Sequence, residues 1–317
     1  MASRIIGCGG YLPEKILDNF DLEKFLDTTN QWIFSRTGIK QRHIASDEET
    51  VASLGYSASI KALSDAKINK KDIDLIIFCT TTPDNTFPAA GSKLQAMLGL
   101  TDVPAFDLQA VCSGFVYGLD VARHMLNGNY KTILLVCADK MSSLLDWKDR
   151  STAVLFGDGA GAIIIQNDDN SNSGIIDTKI HCDGNFRDIL YTDGGVSSTK
   201  STGVIKMDGQ ATFKMAIEKM SESVLSILET NNLSIEDIDY IIPHQANIRI
   251  INSIAKKIQL KPDKIISTIH NHANCSAASI PLALSDTLAA KRINKNDLIV
   301  FVSFGAGLTW GSAIYRW

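Results

Sequence analysis

The chain has 317 residues, 45% hydrophobic and 21% charged, an ordinary soluble composition long enough to bury a large core. Its formal net charge of −4 argues against a protein that coats nucleic acid. No run of 18 apolar residues occurs, and the opening MASRIIGCGGYLPEK lacks the apolar core of a signal peptide, so a cytoplasmic protein without a membrane span is expected.

In chain order, NQWIFSRTG opens the first helix of interest, with Trp32 and Arg36 on one face; packing alone would explain the tryptophan. KDIDLIIFCTTT then reads as a buried strand, PAFDLQAV as a second and TILLVCAD as a third. Between the last two lies GFVYGLDVARHML, a helix with Phe115, Leu119, Val121, Ala122 and Met125 on its apolar side. Cys79 and Cys137 fall inside strands and are expected in the core. Cys112 is different: it stands at a strand-to-helix turn, where the helix dipole lowers a thiol pKa. The stretch alone leaves Cys112 evenly balanced between a packed thiol and a nucleophile. The six cysteines, at 8, 79, 112, 137, 182 and 275, form no C-x-x-C pair, which disfavours zinc or redox motifs and fits a reducing compartment.

FGDGAGAIIIQ leads into a strand rather than a helix, so it is a turn and not a phosphate loop. The polar QNDDNSNSG, residues 166–174, reads as a connector that divides the chain into halves 1–170 and 171–317. Beyond it, ATFKMAIEKMSESVLSIL is an amphipathic helix and DYIIP a strand. His244 follows that strand end, where polar residues of α/β proteins often line a site; of the six histidines it has the strongest context, His43 being assigned to a polar loop. NIRIINSIAKKI is a helix with an apolar stripe of Ile251, Ile254, Ala255 and Ile258, and with Arg249, Lys256 and Lys257 elsewhere on its surface. Asn274, in NHANCSAAS, reads on local grounds as a helix cap. The final buried strand, LIVFVS, runs into SFGAGLTWGS, where Gly305 and Gly307 flank Ala306 in a turn suited to an oxyanion hole.

The two halves match each other. KDIDLII at 71–77 and EDIDYII at 236–242 are offset by 165; the same offset carries ILLVCA onto LIVFVS and Cys112 onto Ala277 in the segment after Asn274. Two copies of one α/β unit packed as a pseudo-dimer follow from this, with ligands expected between them.

Taken together, AVCSGF, PHQAN, NCSAAS and FGAGLTWG resemble the β-ketoacyl-acyl carrier protein synthase III family along essentially the whole chain. The resemblance implies a thiolase-like fold, two repeated α/β halves in a five-layered αβαβα core, and a homodimer. It implies a condensing acyltransferase that joins a short acyl-CoA, acetyl-CoA first among them, to malonyl-acyl carrier protein, with no metal or separate cofactor, no nucleic acid and no membrane partner. By the same resemblance Cys112, His244 and Asn274 form the catalytic triad. Cys112 and Ala306 supply oxyanion amides. Thr28, Trp32, Arg36, Arg150, Gly209, Phe213, Ala246 and Asn247 bind CoA, with the adenine between Trp32 and Arg150. Phe87 reaches across a dimer to floor the partner's acyl pocket. Lys214, Arg249, Lys256 and Lys257 dock the acidic carrier protein. Two positions depart from the family pattern: Cys275, where threonine is usual, and Gln210, where asparagine is familiar. Competing readings are a relative of secondary metabolism with other acyl primers, a Cys-His-Asn thiol hydrolase, which shares the residue order but not the repeat, and a non-catalytic carrier-binding protein.

Overall fold

The computed structural model describes residues 2–168 and 173–317, so the division at 170/171 and the middle of the connector lie outside the described residues. The first half runs β1 (Ala2–Tyr11), β2 (Ile16–Asp18), α1 (Asn19–Glu23), α2 (Asn30–Thr37), β3 (Gln41–His43), α3 (Val51–Ala66), β4 (Leu75–Cys79), α4 (Ala90–Met97), β5 (Ala105–Leu108), α5 (Gly114–Leu126), β6 (Thr132–Lys140), α6 (Arg150–Ala153) and β7 (Asp158–Asp168). The second runs β8 (Gly174–Cys182), β9 (Leu190–Thr192), β10 (Ile205–Met207), α7 (Gly209–Thr230), β11 (Tyr240–Pro243), α8 (Ile248–Lys257), α9 (Ile269–His272), α10 (Ser279–Ala289), β12 (Leu298–Gly305) and β13 (Thr309–Arg316).

The internal repeat is visible in the sheets. One has the order β1-β7-β6-β4-β5 and the other β8-β13-β12-β11. Each begins with an antiparallel pair, continues antiparallel, and then turns parallel. The counterpart of β5 is reduced to a single parallel bridge between Ile241 and Ile265. The repeated DID motif has a structural cause. The Asp74 carboxylate accepts the amides of Lys131 and Thr132 at 2.9 Å, and Asp239 accepts that of Leu298 at 2.8 Å, so each aspartate ties its strand to the start of the next.

Alternation along the strands sorts side chains into layers. Ile133, Leu135 and Cys137 of β6 face a central core that also holds Phe115, Leu119, Ile280, Leu284 and Phe301; Leu134, Val136 and Ala138 face an outer core under α3. In β12, Ile299 and Phe301 face the centre and Leu298, Val300 and Val302 pack under α7 and α8. The layers are therefore α3, sheet, α5 with α10, sheet, and α7 with α8, the expected αβαβα arrangement. Cys79 and Cys137 are core thiols as expected. Val121 and Met125 are only half-buried, and Val116 and Leu126 take their place on the inner face of α5. The expected strand over PAFDLQAV shortens to β5, because the chain leaves the sheet to form the turn at Cys112. His43 lies in the short strand β3 rather than in a loop, since residues 41–43 pair with β2.

Candidate active site

The turns that precede α5 and α10 are equivalent 3-10 turns, Val111–Ser113 and Ser276–Ala278. Each opens on a residue with positive φ, Val111 at 47° and Ser276 at 50°. That conformation costs a non-glycine residue about 1–3 kcal/mol and persists only where the surroundings enforce it. The two turns pack closely against each other: a Cβ at Gly114 would lie 2.9 Å from the Cβ of Ala277. Cys112 is thereby held at the junction of the halves, 4% exposed.

Cys112 forms part of the wall of two cavities. One, of 370 Å³, is bounded by Cys112, Ala306 and Gly307 and by apolar Met141, Leu144, Phe156, Leu190 and Ile205. The other, of 90 Å³, brings Cys112 together with His244, Asn274 and Phe304, and is walled by Gly209, Phe213, Ala246 and Asn247. The triad expected from sequence thus shares one cavity.

His244 is 2% exposed, and burial lowers its pKa to about 3, so the ring is neutral. Its Nδ1 lies 2.7 Å from Ser279 Oγ, at the first residue of α10. That oxygen already accepts the Gln245 amide at 3.2 Å. The hydroxyl can donate its own proton to Nδ1, and in that arrangement His244 carries its proton on Nε2. Asn274 is not the expected helix cap: Cys275 holds the cap position of the 3-10 turn and Ala278 that of α10, and Asn274 bonds the backbone two residues on. Its Oδ1 accepts the Ser276 amide at 2.9 Å, which leaves Nδ2 as the amide's donor end. Its backbone is clamped at 3.0 Å on both sides, its amide on Leu155 O and its carbonyl on the Gly157 amide. Two N–H donors and one thiol in one small, mostly apolar cavity suit chemistry in which a thioester is attacked and an enolate oxygen develops.

The thiol itself corrects the sequence expectation. Burial pushes Cys112 up to about 12, and the Asp139 carboxylate behind it adds to the effect. The α5 dipole opposes this but does not expose the sulfur to water. Asp139 is fully buried and takes hydrogen bonds from Thr80, Thr81, Thr82 and Ala277; burial raises its pKa to about 6.

Gly305, expected in the turn, is the last residue of β12, and residues 306–308 make the turn to β13. A Cβ at Gly305 would lie 2.9 Å from the Cys112 amide nitrogen and 3.1 Å from that of Ser113, so the space before the Cys112 N–H is open only because residue 305 has no side chain.

Away from both cavities, Trp32 on α2 carries the Arg36 guanidinium 4.6 Å and the Arg150 guanidinium 5.0 Å from its ring centroid. Arg150 is anchored to Asp27 O at 2.6 Å, and the buried Thr28 hydroxyl nearby in sequence has no partner among the described residues. On α8 the predicted stripe is buried, while Arg249, Lys256 and Lys257, with Lys214 on α7, are exposed. Arg249 lies 5.3 Å from the Phe213 ring at the cavity wall. Phe87 is 84% exposed and lines neither cavity of its own chain. Gln210 is exposed and lines neither cavity; its amide caps onto Asp208 at 3.0 Å. Cys275 donates to His272 O at 3.2 Å and Asp158 O at 3.6 Å, so the thiol fastens the Asn274 loop to β7.

Sequence reasoning missed Phe304, Ser279, Asp139 and the apolar wall of the 370 Å³ cavity. Ser279 carried a signal: it is the repeat mate of Gly114, 165 positions on, at the helix start. Phe304 sits inside the quoted SFGAGLTWGS, adjoining the oxyanion turn.

Two family models match, 3-oxoacyl-[acyl-carrier-protein] synthase III over residues 106–184 and its C-terminal part over 228–317. Curated β-ketoacyl-[acyl-carrier-protein] synthase III proteins of Rickettsia bellii and Rickettsia prowazekii are 57% and 55% identical, each over the full length of both chains. Among solved structures, 3-oxoacyl-[acyl-carrier-protein] synthase III of Aquifex aeolicus superposes with TM-score 0.95 at 41% identity, covering 99% of this chain and 100% of that one. The priming β-ketosynthase of the R1128 polyketide pathway does so with TM-score 0.93 at 30% identity, covering 99% and 96%. With the repeat, the thiol turn and the shared cavity, these matches show that the chain belongs to the β-ketoacyl-[acyl-carrier-protein] synthase III family.

Proposed function

We propose that Cys112, His244 and Asn274 carry the decarboxylative condensation that starts fatty acid biosynthesis. The chain is an acyltransferase of this family, with an acyl-CoA and malonyl-acyl carrier protein as substrates. In the first half-reaction the Cys112 sulfur adds to the thioester carbonyl of the acyl-CoA. The oxyanion is met by the amides of Cys112 and Ala306, and CoA leaves as its thiol, taking the proton that Cys112 gives up. In the second, malonyl-acyl carrier protein loses CO₂, and the electrons of the broken carbon–carbon bond form an enolate. His244 Nε2–H and Asn274 Nδ2–H stabilise its oxygen. The enolate carbon attacks the acyl-Cys carbonyl, and Cys112 leaves to regain a proton. No metal or cofactor is required, because the departing carboxylate supplies the electron pair.

The observation that carries this reading is the shared cavity: nucleophile and both donors line one small space, and a separate apolar pocket opens behind the sulfur. That pocket suits a short acyl primer, with acetyl as the first candidate. The CoA runs past Gly209, Phe213, Ala246 and Asn247 to an adenine slot at Trp32, Arg36, Arg150 and Thr28. Lys214, Arg249, Lys256 and Lys257 dock the carrier protein at the same mouth. Exposed Phe87 floors the acyl pocket of a second copy in a homodimer, and the protein works in the cytoplasm.

Incubation with acetyl-CoA and malonyl-acyl carrier protein should release CO₂ and yield 3-ketobutyryl-acyl carrier protein, and Cys112→Ala should abolish this. Thioester hydrolysis without carbon–carbon bond formation would refute it. The polyketide ketosynthase likeness favours one second reading, a different primer; the mass of the acyl group on Cys112 after exposure to mixed acyl-CoAs distinguishes the two.

A further inference from the structure

A buried charge lies between the two sides of the nucleotide slot. Arg42, in β3, is 0% exposed. Its Nη1 donates to Leu17 O at 3.1 Å, and its Nη2 donates to Asn19 Oδ1 and to Val154 O, both at 3.0 Å. All three acceptors are uncharged. Burying a guanidinium against neutral oxygens is a poor way to gain stability, and apolar replacements of buried charges are often tolerated. What the planar fork supplies is a fixed geometry among the segments that it bonds.

Those segments are the supports of the slot. Asn19, held by Arg42, donates through Nδ2 to Asn30 Oδ1 at 3.0 Å and to Ile39 O at 2.8 Å. Asn30 is the first residue of α2 and Ile39 follows its end, so Asn19 grips both ends of the helix that carries Trp32 and Arg36. Val154 directly follows α6, whose first residue is Arg150. Arg42 therefore bonds, through Asn19, the Trp32 side and, through Val154, the Arg150 side. Apolar packing alone, through Leu22, Leu26, Ile33, Ala153 and Val154, would join the same parts without setting their spacing.

We propose that Arg42 is a positioning residue for acyl-CoA: its guanidinium sets the separation of Trp32 and Arg150 without touching substrate. The proposal rests on the adenine-slot reading given above. The test compares acylation of Cys112 by acetyl-CoA and by acetyl-pantetheine, which lacks the nucleotide. Acylation is the step measured because the chain beyond Val154 also clamps Asn274. The parent should prefer acetyl-CoA. Arg42→Met should lose about tenfold of that preference in kcat/KM, with the acetyl-pantetheine rate kept within about twofold. Should Arg42→Met not fold, Arg42→Lys serves. Its single ammonium cannot span the acceptors as the fork does, and the same preference should fall. A folded variant that keeps the parent's preference, or that loses rate equally on both donors, overturns the proposal. A parent that shows no preference for acetyl-CoA refutes the adenine slot itself, and the role of Arg42 falls with it.

Discussion

Ser279 Oγ stands 2.7 Å from His244 Nδ1 and accepts the neighbouring Gln245 amide, which leaves its own proton available to the imidazole. When the serine donates to Nδ1, the imidazole carries its hydrogen on Nε2. Ser279→Ala should slow condensation roughly 10–100-fold, the range seen when the partner that fixes an imidazole is removed. Acylation of Cys112 by acetyl-CoA, followed by mass, should change less than about twofold. Equal losses in both half-reactions would show that Ser279 only supports the fold.

Gly305→Ala places a methyl group 2.9 Å from the Cys112 amide nitrogen, in the space assigned to the oxyanion. Acylation should fall about 100-fold, the cost typical of losing one oxyanion donor. Thermal unfolding should report a folded protein. An alanine variant with parental acylation would remove the turn from the mechanism.

Trp32→Ala removes the ring that both Arg36 and Arg150 face. A stacking and cation–π contact of about 1–2 kcal/mol corresponds to roughly tenfold in KM for acyl-CoA, with kcat little changed. Steady-state kinetics with acetyl-CoA as the varied substrate reads this directly. A fall in kcat at unchanged KM would point to a packing role instead.

Burial raises the Cys112 thiol, so the resting enzyme holds it protonated near neutral pH. The rate of iodoacetamide alkylation at Cys112 should keep climbing through pH 9. A plateau below pH 8 would mean that the α5 dipole outweighs burial.

His244 has its pKa depressed to about 3, so CO₂ release by the acyl-enzyme should show no His244 titration between pH 6 and 8. Stability carries the matching signature. The unfolded chain takes up the His244 proton near its ordinary pKa and the folded chain does not, so the neutral ring's contribution is full above about 6.5 and is lost as pH falls toward 3. Asp139 works in the opposite sense. Its raised pKa makes its contribution full below about 4 and lost as pH rises through about 6. Denaturant midpoints of the parent and of His244→Asn between pH 4 and 7 should separate the two, the variant losing the acid-side decline.

Much of the architecture was legible in order. The offset of 165 predicted two equivalent sheets because DID capping and strand periodicity are local properties, written once in each half at Asp74 and Asp239. The helix of Ile251 and Ile254 followed from its period, and residue type and family motif singled out Cys112, His244 and Asn274, which line one cavity. Folding decided the rest. Cys112, His244 and Asn274 are 132 and 30 positions apart in order, and they meet at one cavity only once the two halves pack together. A thiol pKa depends on what surrounds the sulfur, and the dipole at the turn said nothing of the burial that opposes it. The partner of His244 Nδ1 is a serine 35 residues away, and the Arg42 guanidinium joins Leu17, Asn19 and Val154. Periodicity and turn chemistry are short-range and can be read along a chain. Desolvation and the direction of a proton are set by groups distant in sequence, and exist only once the chain has closed on itself.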